Sequence, residues 1–369
     1  MERFSSPGRI EICGNHTDHN HGKVLVAAIE LEMNAETQKT GDSLVQIDSA
    51  GFGRFTVDLN DLKPSKSEFG LSSALVRGVA KGFTDRKLNT GGFTARISST
   101  IPKGAGVSSS AAFEVLIAQI FNVYYNGGRV DKNTLAAVSQ YSENVFFGKP
   151  CGLLDQMGIA HGGITYIDFF DPKKPVIKAL QLPLKDYGII ITNTGGDHSN
   201  LTEYYAAVKE EMHDVARCFD REYLAEVPVQ DFYANIGRLQ RAVSGRAILR
   251  AAHFFNENER VELAANAVAI GNLKGLFAAV NESGESSYKL LQNNYTAGDT
   301  VQRIPLALFM SKRVMTDGAV RVHGGGFSGT ILAFVRNDER EKYLSVMSPV
   351  FGKDNIFITN IRKTGTAQM

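Results

Sequence analysis

Pro102-Lys-Gly-Ala-Gly-Val-Ser-Ser-Ser-Ala-Ala112 separates two stretches of different periodicity. Before it, Phe93-Thr-Ala-Arg-Ile-Ser98 alternates apolar and polar residues, the pattern of a half-buried strand. After it, Ala111–Tyr125 lacks Gly and Pro and stops at Asn126-Gly127-Gly128, the pattern of a helix with a plain C-terminal stop. A turn that opens into a helix can hold an anion. The free N–H groups and positive end of the helix dipole face it, Gly104 and Gly106 let the backbone come close, and the hydroxyls of Ser108, Ser109 and Ser110 add donors. No Gly-Lys-Ser/Thr follows at Walker spacing, and no GxGxxG follows a strand here. A serine-capped turn of purely structural use has the same local signature. The second glycine cluster, Gly324-Gly-Gly-Phe-Ser-Gly329, is ambiguous in the same way.

Outward from this loop, strands are expected at Val24–Ile29, Ile164–Phe169, Gly188–Ile191, Val320–His323 and Thr330–Val335. Asp131 reads as the N-cap of a helix running to Phe147. Beyond residue 199 the chain turns helical, with segments at Tyr204–Phe219, Val229–Val243, Arg246–Glu257, Val261–Val268 and Leu273–Gln292. The fold class is therefore α/β (α+β). Asp171-Pro-Lys-Lys-Pro175 marks a surface turn that divides the chain into lobes 1–175 and 176–369.

At 369 residues with 43% hydrophobic content, the chain can build a large core. Forty Lys+Arg against 39 Asp+Glu leave a net charge of +1. That gives no bulk attraction to nucleic acid or an anionic membrane. Cys13, Cys151 and Cys218 are far apart and form no CxxC pair, which suggests a reducing cytoplasm. The N-terminus does not read as a secretory leader, and no apolar run is long enough to span a bilayer. Oligomeric state is not legible, and a monomer is compatible with everything above.

Arg9-Ile-Glu-Ile-Cys-Gly-Asn-His-Thr-Asp-His-Asn-His-Gly22 packs Asn15, His16, Asp18, His19, Asn20 and His21 into one short stretch. The spacing matches no common zinc pattern, and no Cys or Glu completes one. The remaining readings are a solvated turn and a sugar site, whose hydroxyls need donors and acceptors at fixed positions.

Taken in order, these stretches resemble the signature motifs of the GHMP kinases, most closely the galactokinase branch. The branch motif Gly-Arg-Val-Asn-Leu-Ile-Gly-Glu-His-Thr-Asp-Tyr-Asn is similar to Gly8-Arg-Ile-Glu-Ile-Cys-Gly-Asn-His-Thr-Asp-His-Asn20. Gly-Leu-Ser-Ser-Ser-Ala-Ala resembles Gly106–Ala112, Pro-Cys-Gly-Ile-Met-Asp-Gln resembles Pro150–Gln156, and Gly-Gly-Gly-Phe-Gly-Gly resembles Gly324–Gly329 with Ser328 in place of one glycine. The Arg250–Arg260 region, with His253 and Glu257, also looks like the family's distal lobe.

The resemblance implies a two-lobed fold of mixed sheets and helices with the site in the cleft between the lobes. It implies transfer of the ATP γ-phosphoryl group to the anomeric hydroxyl of a sugar. Asp155 takes the position of the catalytic aspartate, and Arg9 that of the arginine keeping it ionised. Glu143 and Ser110 take the positions of the Mg²⁺ ligands. Asn15, His16, Asp18 and Gly152 fall in the sugar site, and Gly104, Gly106, Ser108, Ser109, Ser110, Gly325 and Gly326 in the nucleotide site. The implied partners are ATP and a small sugar.

Two positions depart from the motif. Asn15 stands where the family has a sugar-contacting glutamate, and His19 where it has an aromatic. Loss of that carboxylate admits a C6-modified sugar such as galacturonate as a rival to galactose. A non-catalytic sugar sensor is the alternative from another class, but the complete Ser-Ser-Ser-Ala-Ala run favours catalysis.

Overall fold

The structure, a computed structural model, describes residues 1–369 except 51–52, 103 and 197–200. Lys103 of the expected phosphate loop thus lies outside the described residues.

The first sheet is built on β1 (Glu2–Cys13) and β2 (Lys23–Lys39), which run antiparallel. The strand expected at Val24–Ile29 is only the start of β2, which is 17 residues long. Its far edge is shared. The sheet continues through β3 (Leu44–Ser49), β4 (Gly53–Asp58) and β5 (Phe93–Ser99), in the order β1-β2-β5-β3-β4. At its other end β2 pairs with β6 (Ile164–Asp168), and β6 pairs with β7 (Val176–Leu180). The second sheet is antiparallel. It contains β8 (Tyr187–Asn193), β9 (Gly318–His323), β10 (Thr330–Arg336) and β11 (Ile356–Thr359), in the order β11-β8-β10-β9. The last strand, β12 (Ala367–Gln368), returns to pair with β1.

The expected division at 175/176 is therefore not where the structure divides. β7 lies after it and β12 near the chain end, yet both belong to the first sheet. One apolar cluster also joins Phe4, Val26 and Phe121 to Ile189, Val261, Leu276 and Phe334. The halves share a core.

Helices α1 (Ser72–Asp85), α2 (Ser109–Asn126), α3 (Lys132–Tyr141) and α4 (Leu154–His161) belong to the first half. α2 ends at Gly127 in a left-handed cap, as its sequence predicts. Asp131 caps α3 by accepting from Thr134 N–H. The expected helix to Phe147 changes at Ser142 into a wide π turn, Ser142–Phe147. That turn carries Glu143.

The second half contains α5 (Thr202–Arg217), α6 (Val229–Ala234), α7 (Ile236–Leu239), α8 (Gly245–Ala269), α9 (Leu273–Ser286), α10 (Arg303–Val314) and α11 (Arg340–Phe351). The expected helix Val229–Val243 is broken at Asn235 between α6 and α7. The expected pair Arg246–Glu257 and Val261–Val268 is one helix of 25 residues, α8. The polar run Asn258-Glu-Arg260 does not break the helix: Asn258 Oδ1 accepts from Lys23 N–H at the start of β2 at 2.7 Å, and Arg260 binds Glu257 one turn back.

Candidate active site

β1 places alternate side chains on one face, and so brings Arg9 and Glu11 to the same floor. Arg9 is buried. Its Nε donates to Asp155 Oδ1 at 2.6 Å and its Nη1 to the Gly106 carbonyl at 2.7 Å. Arg9 therefore joins the first strand, the glycine loop and the first turn of α4.

Asp155 Oδ2 accepts from Ser108 Oγ. Ser108 is the residue before α2, in a left-handed conformation with φ 62°, and its side chain makes no cap. The serine-cap reading of this turn is thereby excluded: the hydroxyl is turned to the carboxylate. Burial pushes the Asp155 carboxyl up, but Arg9, Ser108 and Lys149 together hold it below the usual range. Asp155 is thus an ionised weak base with a free lone pair on each oxygen.

The loop's main chain is open. The N–H groups from Gly104 to Ser110 donate to no group among the described residues. Gly104 and Gly106 take φ 71° and 68°, where a side chain would be strained. At Gly106 a Cβ would also crowd Thr330 Oγ1 (3.1 Å).

Ser110 Oγ donates to Glu143 Oε1 at 2.9 Å. Glu143 is buried, and its other oxygen accepts from Gln156 Nε2 at 2.8 Å and Cys151 Sγ at 3.1 Å. Gln156 also donates to Glu114 at 3.2 Å. Burial, and then the charge of Glu143, push the Glu114 carboxyl far above the usual range, so it stays neutral behind the site. Lys149 Nζ reaches Glu143 Oε1 at 2.9 Å. Among the described residues no group of three or more His, Cys, Asp or Glu could hold a metal ion. The Ser110 and Glu143 oxygens do suit a hard cation that takes its other ligands from phosphate, and an ammonium already rests on that carboxylate.

At the other end, Asp18 lies against Gly152. A Cβ there would sit 1.7 Å from Asp18 Oδ2, so Gly152 is the space that admits the carboxylate. Burial, then Asp155 and Glu11, push the Asp18 carboxyl up to about 7, although the N–H groups of Leu154 and His19 bind it. Asp155 is therefore close enough for its charge to act on Asp18.

Asn15 departs from its expected role. Its Nδ2 donates to Glu11 Oε1 (3.0 Å) and the Gly324 carbonyl (2.9 Å). Its Oδ1 accepts from Asn293 Nδ2 (2.9 Å) and Ser287 Oγ (3.2 Å). An amide has two N–H groups and two lone pairs, so nothing is left for a sugar. Asn15 is a buried strut. The sequence reading missed its partner. The family motif has Asn where this chain has Glu11, and Glu where it has Asn15, so amide and carboxylate have changed places across one 3.0 Å hydrogen bond. Glu11 Oε1 also accepts from Arg321 Nη2 at 2.9 Å, while Oε2 has no partner among the described residues. The signal lies in the motif itself, at Glu11, four residues before Asn15.

His16 and His19 are neutral. His16 Nε2–H donates to the Gly325 carbonyl (3.0 Å), and His16 Nδ1 accepts from His19 Nε2–H (3.2 Å). His19 Nδ1 in turn accepts from Asn20 Nδ2 at 3.0 Å. Burial lowers His16 to about 4 and His19 well below its usual value. His16 therefore joins the motif to the glycine loop. That loop turns its carbonyls toward the sugar motif and Tyr205, whose hydroxyl donates to Gly326 O at 3.1 Å. The N–H groups of Gly325 and Gly326 have no acceptor among the described residues. Neither glycine tolerates a Cβ, which would meet Tyr205 at 2.5 Å or the Asn293 carbonyl at 2.2 Å.

The Gly14–Asn15 turn is clamped from α8. Glu257 Oε1 accepts from Gly14 N–H (2.9 Å), and His253 Nε2–H donates to the Asn15 carbonyl (2.8 Å). Glu257 also accepts from Asn15 N–H (3.4 Å), Ser283 Oγ and Arg260.

A family model for the GHMP kinases N terminal domain matches residues 74–163, and one for the galactokinase galactose-binding signature matches residues 2–39. The chain is similar to a Clostridium tetani protein described as galactokinase, 29% identical over 361 residues, covering 96% of this chain and 88% of the relative. Its fold resembles that of Lactococcus lactis galactokinase complexed with galactose (TM-score 0.86, 24% identity, 100% and 95% of the two chains covered). It also resembles Methanococcus jannaschii mevalonate kinase (TM-score 0.68, 16% identity, 97% and 98% covered).

Proposed function

We propose that this chain, which matches the GHMP kinases N terminal domain over residues 74–163 and the galactokinase galactose-binding signature over residues 2–39, is a phosphotransferase of the sugar-kinase type that phosphorylates the anomeric hydroxyl of galactose with ATP. The observation that carries the reading is the joint between its ends: Arg9 binds Asp155 and the glycine-loop carbonyl Gly106 at once. One charged group thus sets the acceptor hydroxyl against the phosphate loop, as in-line transfer requires.

The open N–H groups of Gly104–Ser110 and the start of α2 suit the triphosphate. Ser109, whose hydroxyl has no partner among the described residues, would join them. Ser110 and Glu143 would hold Mg²⁺, which when bound supplies positive charge to the phosphate oxygens. Asp155 orients the anomeric hydroxyl. The new O–P bond forms at that oxygen while the bond from the γ-phosphorus to the bridging oxygen breaks, and its electron pair leaves with ADP. A carboxylate so stabilised takes the hydroxyl proton late, so most of the rate enhancement comes from alignment and charge.

Asn15 opened the case for galacturonate by removing a carboxylate. Glu11 restores one at 3.0 Å from it, and Asp18 is a second acid in the same pocket. Two acids favour a neutral, hydroxyl-rich sugar over a uronate.

The test is ADP release from ATP and Mg²⁺ over a panel of hexoses and uronates, with the product identified by phosphorus NMR. We expect galactose to be turned over to the 1-phosphate, with kcat/KM well above that for galacturonate. A preference for the acid would sink the galactose reading. Binding of sugar and nucleotide without ADP release from any hexose would make the chain a sensor.

A further inference from the structure

Lys149 belongs to none of the motifs that identify the family in this chain. It lies between the π turn carrying Glu143 and the first turn of α4 carrying Asp155. Its backbone is fixed, with Lys149 N–H donating to the Glu143 carbonyl at 3.1 Å. Its side chain is 60% exposed, while the Glu143 side chain it binds is 1% exposed. A water-facing cation therefore reaches into a buried carboxylate.

The oxygen it reaches is Glu143 Oε1, and Ser110 Oγ donates to that same oxygen. The ammonium therefore shares the carboxylate oxygen on which a divalent cation would rest, beside the second expected ligand. Asp155 also lies within the field of this ammonium, which helps keep that carboxylate ionised. The lysine thus sits on the expected cation seat with its charge felt at the group expected to orient the acceptor hydroxyl. Glu114, the other acid behind the seat, is held neutral by burial and by Glu143. Lys149 is therefore the charge that balances Glu143 when no nucleotide is bound.

We propose that Lys149 occupies the cation seat of Glu143 in the nucleotide-free protein and, when the metal–nucleotide enters, moves its ammonium onto the phosphoryl group being transferred. A buried carboxylate without a counter-ion costs several kcal/mol, so a resident ammonium keeps the empty site folded. A divalent ion outcompetes an ammonium for a hard oxygen pair once phosphate oxygens complete its shell. The displaced ammonium is tethered and keeps its charge. The nearest new anion is the phosphate that arrives with the metal. In this way the chain gains a cation on the transferring group without help from another protein. The proposal rests on the assignment of Ser110 and Glu143 as the metal seat.

The experiment titrates Mn²⁺ against the nucleotide-free protein and reads free Mn²⁺ by electron paramagnetic resonance, for wild type, Lys149→Met, Glu143→Gln and the double variant. With the competing ammonium gone, Lys149→Met should bind Mn²⁺ about tenfold more tightly than wild type. A merely structural lysine would not produce that gain. The double variant should lose it. In steady-state assays with Mg²⁺ and ATP, Lys149→Met should lower kcat by at least about tenfold with little change in the sugar KM, and Lys149→Arg should recover part of the loss. Unchanged or weaker Mn²⁺ binding in Lys149→Met, with Glu143→Gln still weakening it, overturns the proposal and leaves the metal seat standing. No effect of Glu143→Gln, with or without nucleotide, overturns the seat itself. An unaltered kcat in Lys149→Met overturns the phosphoryl half.

Discussion

The two ends of the proposed site are built on opposite principles. At the phosphate end the backbone donors are open: no N–H group from Gly104 to Ser110 is satisfied by the described residues. At the sugar end almost every polar group already has a partner. Asn15 uses its whole amide, His16 both ring nitrogens, and the carbonyls of Gly324, Gly325 and Gly326 are taken. Open donors wait for a ligand whose charge repays them. Saturated groups fix a shape, and in the proposed site recognition would fall to the few acceptors left, Asp18 and the Glu11 oxygen that has no partner among the described residues. The difference teaches that a dense polar motif need not be a dense contact surface, since most of this one is scaffold.

The joint between the ends should show the largest effect. Asp155→Asn keeps the volume and the Arg9 contact but removes the charge that Arg9 balances and the acceptor of the hydroxyl proton. We expect kcat to fall by roughly 10²–10⁴-fold with nucleotide affinity nearly unchanged, checked by single-turnover kinetics and equilibrium nucleotide binding. A variant that keeps wild-type kcat would break the joint.

The saturated end predicts a stability effect next. Burial pushes the Glu257 carboxyl up, but His253, Arg260, Arg321 and Ser283 more than reverse this and lower it to about 2. A depressed carboxyl contributes stability that is full above its unfolded value near 4.5 and lost as pH falls toward 2. Glu257→Gln should therefore cost about 3 kcal/mol at pH 7, and its deficit should shrink between pH 4.5 and 2. Urea unfolding followed by circular dichroism measures this, since the chain has no Trp. A deficit that does not change with pH would show that the clamp acts by packing alone.

Asp18 is the sharper probe of recognition. With its carboxyl near 7, it accepts hydroxyl hydrogens fully only above that pH. The kcat/KM for sugar should rise with pH through about 7, and Asp18→Asn should flatten the rise. The same variant should cost about 2 kcal/mol in sugar kcat/KM, the worth of a hydrogen bond to a charged group. A pH rise that survives in Asp18→Asn would move the titrating group elsewhere.

The phosphate loop was legible because its determinants are local. Gly104, Gly106 and the serines before α2 state their backbone geometry within a single turn. The helix α2 and the Asp131 cap were legible for the same reason. Asn15 was not. Its partners Asn293 and Gly324 lie 278 and 309 residues away, and no local pattern signals a buried strut. The span of α8 was missed because Asn258 and Arg260 read as a polar break, whereas Asn258 binds the start of β2 and Arg260 binds Glu257. β2 was shortened in the reading because its second half, Glu32-Met-Asn-Ala-Glu36, carries polar residues that suit an edge. Those residues nevertheless pair with β5 from Met33 onward. Lys149 was passed over because a lysine beside a proline in a loop has no sequence signature.

The exchange of Glu11 and Asn15 tests whether the saturated end works as one unit, and it carries the smallest expected effect. Glu11→Asn leaves Arg321 buried without its carboxylate, because Arg321 Nη2 donates to Glu11 at 2.9 Å. Asn15→Glu puts a second carboxylate beside Glu11 and withdraws the two donors that bind Glu11 and Gly324. Each single change should therefore lose stability and sugar affinity. The double variant restores one acid and one amide in the reverse order, the order of the family motif. A double-mutant cycle on sugar kcat/KM should give a favourable coupling of about 1–2 kcal/mol, within the range for residues in direct contact. Additive losses would mean that Glu11 and Asn15 act separately. The pocket would then draw its acceptor from Asp18 alone, and the lost family glutamate would again weigh toward a sugar altered at its far end.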